Sequence, residues 1–198
     1  MSAPVPDWII PPYEGFSAED FLAMSELPPH SELIDGSLVF VSPQAKWHTR
    51  VVNLLTRMLD DAGEPGLRAD GEMMVRLGER QVLEPDVVVV TAEAFDRVEP
   101  DTYYFAEDAV LVVEAVSPES RTRDRRAKPA LYAEAGIPHF WRVERDAVDG
   151  AVISTFEREL ATGQYLPTGI HHGRIAVDVP FPMDFGISAD EIERKKRR

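Results

Sequence analysis

The fold is decided by the stretch Val110-Leu111-Val112-Val113-Glu114-Ala115-Val116, an apolar run interrupted by a single carboxylate. A run without polar alternation is typical of a strand that is covered on both faces. A second run of this kind, Val87-Val88-Val89-Val90, follows Pro85-Asp86. We therefore expect two buried central strands, with one acid within or next to each of them.

Asp86 and Glu114 are costly at these positions, because a desolvated carboxylate requires a cationic partner or a metal. Taken alone, Asp86 is compatible with a strand-end acid that faces solvent or caps a turn. Glu114 alone is compatible with an outward-facing residue or with a salt bridge to Arg123, Arg125 or Lys128. Taken together on adjacent strands, the two acids indicate a site for a hard divalent cation such as Mg²⁺.

The segment after the first apolar run predicts a helix over about residues 125–135. Asp124, Lys128 and Tyr132 recur at i, i+4 and i+8, and so would share one helical face. Pro129 is tolerated only in the first turn of a helix, which places Lys128 at or near the start. A lysine beside a metal-bound phosphate would stabilise developing negative charge or orient the attacking water. The alternative is an exposed ion pair between Lys128 and Asp124.

Shorter signals complete a mixed α/β (α+β) fold. Ser17 with Asp20 three residues later is typical of a capped helix start. Asp35-Gly36 is typical of the turn of a hairpin, here within residues 32–42. The other expected elements are a helix over about 43–62, strands over 67–77, 82–91 and 139–143, and a hairpin of 151–158 with 164–167, with the remainder irregular.

The length of 198 residues fits one domain, and no repeat or linker marks a boundary. We divide the chain into an extended N-terminal segment (1–16), a single domain (17–189) and a basic C-terminal tail (190–198). The sequence contains no cysteine, which excludes disulfides, thiolate zinc sites and cysteine nucleophiles. No apolar run approaches the length of a membrane span, and the start has no signal-peptide pattern. We therefore expect a cytoplasmic protein that does not enter a membrane.

The formal charge of −14 is distributed unevenly. Residues 1–120 hold 23 acidic and seven basic residues, whereas residues 121–128 hold five basic residues and one acidic residue. This balance argues against nonspecific binding to nucleic acid through the whole surface, but it leaves a local basic site open. The alternative for the basic segment is a solvated loop. The residues that we assign to nucleic-acid binding are Arg121, Arg123, Arg125 and Arg126.

The order of the motifs resembles the Uma-two family, a bacterial endonuclease family within the PD-(D/E)XK nuclease superfamily. The resemblance extends over about residues 17–185. The matching stretches are Glu32-Leu33-Ile34-Asp35-Gly36, Val41-Ser42-Pro43 with His48, Glu84-Pro85-Asp86-Val87, Val112 to Pro118, Asp124, Lys128, Tyr132, Ala135-Gly136-Ile137-Pro138 and Phe140-Trp141.

This resemblance implies a restriction-endonuclease-like fold, in which a mixed central β-sheet is flanked by helices. It also implies hydrolysis of DNA phosphodiester bonds with Mg²⁺ (or Mn²⁺) as cofactor. By position, Asp86 and Glu114 would bind the metal, the backbone carbonyl of Ala115 would be a further ligand, and Glu32 would be an additional catalytic acid.

The catalytic lysine of the superfamily normally lies two residues after the second acid, where this chain has Val116. Lys128 on the following helix is the natural replacement, since a helix packed on the sheet can project a lysine into the same space. His48, Asp124 and Tyr132 are expected to support the site through hydrogen bonds.

The expected partners are DNA, a second copy of the chain in a homodimer, and a protein partner that directs the enzyme to DNA. The homodimer is expected because many nucleases cut duplex DNA as symmetric dimers. An alternative from another class is a catalytically silent nuclease-fold module that binds nucleic acid or a protein partner. Val116 in the usual lysine position and the acidic surface both favour this alternative.

Overall fold

The computed structural model describes residues 9–41, 44–63, 66–148 and 150–193. Residues 1–8 of the predicted extended segment, Ser42-Pro43 of the matched motif and residues 194–198 of the predicted basic tail lie outside the described residues. The helices are α1 (Ala18–Leu22), α2 (Lys46–Ala62), α3 (Ala92–Phe95), α4 (Lys128–Glu134) and α5 (Ala189–Glu193). The strands are β1 (Ser31–Ile34), β2 (Ser37–Phe40), β3 (Leu67–Gly71), β4 (Met74–Gly78), β5 (Gln81–Leu83), β6 (Val87–Thr91), β7 (Tyr103–Phe105), β8 (Ala109–Ala115), β9 (His139–Asp146), β10 (Gly150–Arg158), β11 (Tyr165–His172), β12 (Arg174–Val177) and β13 (Met183–Gly186).

Most of the strands form two mixed sheets. The five-stranded sheet has the order β2-β1-β5-β4-β7, and the six-stranded sheet has the order β11-β10-β9-β8-β6-β3. In the described residues β4 pairs in parallel with β7, β8 pairs in parallel with β9, and the other pairs are antiparallel. The expected mixed sheet with flanking helices is confirmed, although the strands are divided between two sheets.

The two apolar runs form adjacent strands at the centre of the six-stranded sheet. Val87 of β6 lies opposite Val113 of β8 in an antiparallel register. All four valines of β6 are fully buried, since they alternate between the cores on the two sides of the sheet. This burial on both faces explains why neither strand shows polar alternation.

The sheets and helices are arranged in layers. Helix α2 covers one face of the six-stranded sheet, where Leu55 packs in the same core as Val89. The five-stranded sheet and α4 cover the other face, where Leu83 packs in the same core as Val88. A third, smaller core packs α1 against β1 and β5. The space between the two sheets is therefore bounded by strands of both sheets and by α4.

Two local predictions at the N-terminal end are confirmed. Helix α1 begins with a capping box, in which the Ser17 hydroxyl accepts from the Asp20 N–H and the Asp20 carboxylate accepts from the Ser17 N–H. Asp35 and Gly36 join β1 to β2 with φ values of 51° and 74°. Both residue types tolerate this left-handed region, which a tight hairpin turn requires.

The prediction of two strands over residues 67–77 and 82–91 is wrong, because each region contains two strands. Glu72 adopts a φ of 56° and separates β3 from β4. Glu84-Pro85 separates β5 from β6, since proline has no N–H for the ladder. Strands β3 and β6 belong to the six-stranded sheet, and β4 and β5 to the five-stranded sheet. The chain thus crosses between the sheets twice within this region.

The predicted helix over 125–135 is divided into a π-helical turn, Arg123–Ala127, and α4. The N–H of Lys128 donates to the Arg123 carbonyl, five residues earlier. Pro129 lacks an N–H, and its ring would clash with the carbonyl four residues before it in a regular α-helix. The wider turn accommodates this proline and leaves Lys128 as the first residue of α4.

The C-terminal region, which was expected to be irregular, forms β12, β13 and α5. Ile175, Phe185 and Ile192 from these elements pack into the core beneath α2. Each element is only four or five residues long, so its apolar pattern is too short to be distinguished from a loop. None of the helices in the described part of the chain has the length and apolar character of a transmembrane span.

Candidate active site

Strand alternation directs three of the predicted acids into the space between the sheets. Glu32 lies on β1 two residues before Ile34, and Glu114 lies on β8 two residues after Val112. Ile34 and Val112 both pack into the core between the sheets, so each acid points to that side. Asp86 precedes β6 on the same side as Val88. The acids line one cavity of about 30 Å³ together with His30, Val41, Gln44, His48, Glu72, Glu84, Ala115, Ser120, Arg123, Asp124 and Lys128.

Lys128 projects from the start of α4 into the acids. Its Nζ lies 2.8 Å from Glu32 Oε1, 2.9 Å from Glu114 Oε1 and 4.0 Å from Asp124 Oδ1. The Tyr132 hydroxyl donates a second hydrogen bond to Glu114 Oε1, at 2.5 Å. Lys128, Glu32 and Glu114 are each at most 4% exposed. The shared face of Asp124, Lys128 and Tyr132 therefore turns inward, and the alternative of an exposed pair is wrong.

The buried charged groups of the cavity shift one another's pKa values. Burial raises the pKa of Glu114, the charge of Lys128 opposes this rise, and the carboxylate of Asp124 adds to it. Burial alone would lower the pKa of Lys128, but the charges of Glu114, Glu32 and Asp124 raise it above the usual value. These effects compete, and the two short contacts of Lys128 with carboxylates favour the ionised lysine. The cavity thus contains a fixed positive charge.

Asp86 is held from two sides. Its Oδ1 lies 2.9 Å from His48 Nε2 on α2, and its Oδ2 accepts from the Ala115 N–H at 2.6 Å. Burial lowers the pKa of His48, but the hydrogen bond and charge of Asp86 outweigh it, so the pKa is raised. His48 therefore supports Asp86, and Ala115 forms part of the cavity wall beside both predicted metal-binding acids.

The four predicted nucleic-acid-binding arginines do not form one cluster. Arg123 lines the cavity, and its Nε lies 3.8 Å from Glu32 Oε2. Arg125 forms an ion pair with Glu144 of β9. Arg121 and Arg126 are exposed and do not line the cavity. Of the four arginines, only Arg123 is therefore placed to contact a group bound at the acids.

Residues 18–190 match the Uma2 family, which is described as "Putative restriction endonuclease". The chain belongs to the Uma2 family. Among solved structures, the Uma2 chain is similar to a putative nuclease belonging to DUF820 from Anabaena variabilis ATCC 29413, with a TM-score of 0.69 and 19% sequence identity. The match covers 89% of this chain and 97% of that chain, and it shows a shared nuclease-like fold. No curated protein matches the sequence.

Three titratable cavity residues of this Uma2 protein, His30, Glu72 and Glu84, were not predicted from its sequence. His30 Nδ1 lies 2.7 Å from Glu84 Oε1, and the Glu84 N–H donates to Glu32 Oε1. Glu72 is anchored by its N–H, which donates to the Asp86 carbonyl. His30 and Glu72 both adopt left-handed φ values, 59° and 56°, which non-glycine residues rarely do. The adjacency of Glu84 to Pro85-Asp86 was the one available signal, and backbone strain cannot be read from residue types.

The donor set of the Uma2 site fits a hard divalent cation in its chemistry. Mg²⁺ prefers carboxylate oxygens and usually binds through one or two of them, with water and substrate completing its shell. Asp86 and Glu114 meet this requirement, because both carboxylates line the same cavity. Within the described ranges, no three His, Asp or Glu side chains are already grouped as metal ligands. Two carboxylates suit a cation that keeps several of its waters.

Proposed function

We propose that this Uma2 protein is a Mg²⁺-dependent endonuclease that hydrolyses DNA phosphodiester bonds. The observation that supports this proposal is the convergence of Glu32, Asp86, Glu114 and Lys128 in one cavity. These residues come from β1, the start of β6, β8 and α4, and thus from both sheets and a helix. Desolvated acids around a lysine are expensive to maintain for stability alone, which favours a role in chemistry.

Each side chain has a defined part in the proposed reaction. Asp86 and Glu114, with the Ala115 carbonyl, would hold Mg²⁺ (or Mn²⁺), which when bound supplies positive charge at the scissile phosphate. Lys128 places a second positive charge where negative charge develops on the phosphate oxygens. His48 and Tyr132 keep Asp86 and Glu114 in position through their hydrogen bonds. Arg123 is placed to contact the phosphate.

The proposed hydrolysis consumes one water molecule and needs no other reactant. A water oxygen forms a bond to phosphorus, and the bond between phosphorus and one sugar oxygen breaks. The water loses one proton to a carboxylate of the cavity, and the leaving sugar oxygen takes up one proton from solvent. The products are a phosphate monoester end and a free hydroxyl end.

The overall charge of −14 favours help from a partner in DNA binding. We propose that the enzyme cuts duplex DNA as a homodimer, with a protein partner as a further means of targeting. The acidic surface of the protein repels the DNA phosphates and lowers the affinity. A second DNA-binding site in a homodimer, or a basic protein partner, would offset this loss.

Cleavage of assorted DNA with Mg²⁺ or Mn²⁺ tests the proposal. Asp86→Asn removes one charge from the cavity and should abolish cleavage, whereas the matched Asp101→Asn replaces an exposed acid and should cleave as the wild type does. Equal cleavage by the wild type and Asp86→Asn would contradict the assignment of the site.

The second candidate function is a silent module that binds nucleic acid or a protein without cutting it. It is favoured by the lack of a preformed three-ligand group among the described residues, and by the engagement of Glu114 with Lys128. Calorimetric titration with Mn²⁺ separates the two functions. The nuclease should bind Mn²⁺ and lose this binding in Asp86→Asn, whereas the silent module should show no binding in either protein.

A further inference from the structure

Four buried atoms of cavity-lining residues have no hydrogen-bond partner. One is His48 Nδ1, and the other three, Glu32 Oε2, Asp124 Oδ1 and Arg123 Nε, belong to the group of side chains that includes Lys128. Glu32 is 1% exposed and Asp124 is 2% exposed. A buried polar atom that makes no hydrogen bond costs about 1–3 kcal/mol. The three atoms of Glu32, Asp124 and Arg123 in one cavity therefore indicate a ligand that pairs with them.

Two gaps between these atoms and their neighbours have the width of a bridged contact. Arg123 Nε lies 3.8 Å from Glu32 Oε2, and Lys128 Nζ lies 4.0 Å from Asp124 Oδ1. Both distances exceed a direct hydrogen bond, so a polar atom beside each gap can contact the groups on both sides. Lys128 has three N–H donors, of which Glu32 Oε1 and Glu114 Oε1 take two. The third donor remains for the ligand.

We propose that Glu32, Asp124, Arg123 and Lys128 form a binding site for one water molecule, which Asp124 orients as the nucleophile. The role of this water as the nucleophile rests on the proposed nuclease function. The water would donate to Glu32 Oε2 and Asp124 Oδ1 and accept from Arg123 and Lys128, which satisfies all four of its hydrogen bonds. The cavity, at about 30 Å³, has more than the roughly 10–15 Å³ that a bound water molecule requires.

The mixture of charges distinguishes water from other small ligands. A cation at this point would face the Lys128 ammonium and the Arg123 guanidinium, and an anion would face the two carboxylates. Water pairs with donors and acceptors alike. The site therefore differs from the proposed metal position at Asp86, although Glu114 and Lys128 connect the two.

Arg123 gives the site a means of activating the water. It is the most exposed of the four partners, with 26% of its side chain accessible. When Arg123 turns to a substrate phosphate, the water loses one donor and gains a free lone pair. Glu32 and Asp124 continue to hold its two hydrogens, so this lone pair points towards phosphorus. Asp124 thus acts as a positioning residue, because it affects the reaction through the water that it holds.

A crystal structure of the wild-type protein in EDTA tests the water site without reference to activity. The expected result is electron density for one water within hydrogen-bond distance of Asp124 Oδ1 and Glu32 Oε2. Direct contact of Arg123 with Glu32 and of Lys128 with Asp124, with no water between them, would overturn the inference. Density in a protein that does not cleave DNA would support the water site while overturning both the proposed function and the role of Asp124.

Kinetics test the role of Asp124. Asp124→Asn keeps the size of the side chain and should lower kcat about 100-fold with KM for DNA unchanged, because only the orientation of the water is lost. Asp124→Glu restores a carboxylate and should recover part of kcat. If Asp124→Asn unfolds, Asp124→Glu decides, because a lowered kcat with unchanged KM would support the role and an unchanged kcat would overturn it. A raised KM with unchanged kcat, or no recovery in a folded Asp124→Glu, would overturn the role.

Discussion

Lys128 balances the charge of the cavity. Its ammonium group lies within 4.0 Å of Glu32, Glu114 and Asp124, all of which are buried. A lysine in this position is held by its partners, and the partners in turn depend on it, because each would otherwise be a buried charge without compensation. The residue therefore has a structural role as well as its proposed catalytic one.

Lys128→Met should lower the free energy of unfolding by about 3–5 kcal/mol, which is typical when one partner of a buried ion pair is removed. The reason is that Glu32 and Glu114 lose their counterion while remaining desolvated. Urea unfolding followed by circular dichroism measures the change. Lys46→Met, at an exposed position in the first turn of α2, is the control and should change stability by less than about 0.5 kcal/mol. Equal stability of the two variants would show that the ion pairs contribute little.

At the scale of elements, two glycines with similar backbone conformations differ in their surroundings. Gly136 follows α4 with a φ of 89°, and a Cβ there would meet no atom within 4 Å. Gly150 begins β10 with a φ of 83°, and a Cβ there would lie 2.7 Å from the Cα of Ala189. The close approach at Gly150 fixes the start of α5 against β10, and the backbone at 189 cannot move aside as a side chain could.

Gly136→Ala should cost about 1–2 kcal/mol, which is the cost of the left-handed conformation alone. Gly150→Ala should cost more by about 1–3 kcal/mol, because the added methyl group also displaces the backbone of α5. Thermal unfolding of the two variants and the wild type gives the comparison. Equal losses of stability would mean that the contact between β10 and α5 can relax.

The extent to which the sequence predicts these elements depends on how local their causes are. The α1 capping box and the hairpin turn at Asp35-Gly36 depend on neighbouring residues, and both were predicted. The division of β3 from β4 depends on Glu72, a residue type that rarely takes the left-handed conformation it has here. The π-helical turn before α4 could have been inferred from Pro129 only if the upstream helical residues had been known.

The same distinction applies to the site. The positions of Asp86 and Glu114 follow from strand patterning, and the motif order indicated that Glu32 and Lys128 belong with them. His30 and Glu84 join the cavity because the two sheets pack together, which is a long-range outcome. No local pattern of residues predicts this packing. The sequence predicted the same nucleic-acid-binding role for all four arginines, whereas the ion pair with Glu144 holds Arg125 away from the cavity.

For the molecule as a whole, His139 makes stability depend on pH. Burial lowers its pKa from the ordinary value of 6.5, so the folded protein holds it neutral where the unfolded chain protonates it. Between the two pKa values the unfolded state binds more protons, and the contribution of His139 to stability therefore falls as the pH drops below about 6.5. His139→Gln should remove this part of the acid sensitivity. The free energy of unfolding of both proteins, measured in EDTA from about pH 8 to about pH 5, would show parallel curves if His139 contributed nothing.

The net charge leads to a prediction about DNA affinity. Without divalent metal or a partner, binding should be weak, because the −14 charge repels the phosphates and few cationic side chains reach the cavity. The affinity should also fall steeply as the salt concentration rises. Each phosphate contacted should make the slope of log affinity against log salt concentration more negative by about 0.9. Fluorescence anisotropy with labelled DNA in EDTA measures both quantities. Tight binding at physiological salt would show that a basic surface has been overlooked.

The short crossing between the sheets has a consequence for the spacing of the cavity acids. Only Glu84, Pro85 and Asp86 separate β5 of one sheet from β6 of the other, and this crossing runs along the cavity. Because three residues span only about 10 Å when fully extended, the two sheets cannot separate widely at this edge. The length of the crossing therefore limits the distance between Glu32 on one sheet and Asp86 on the other.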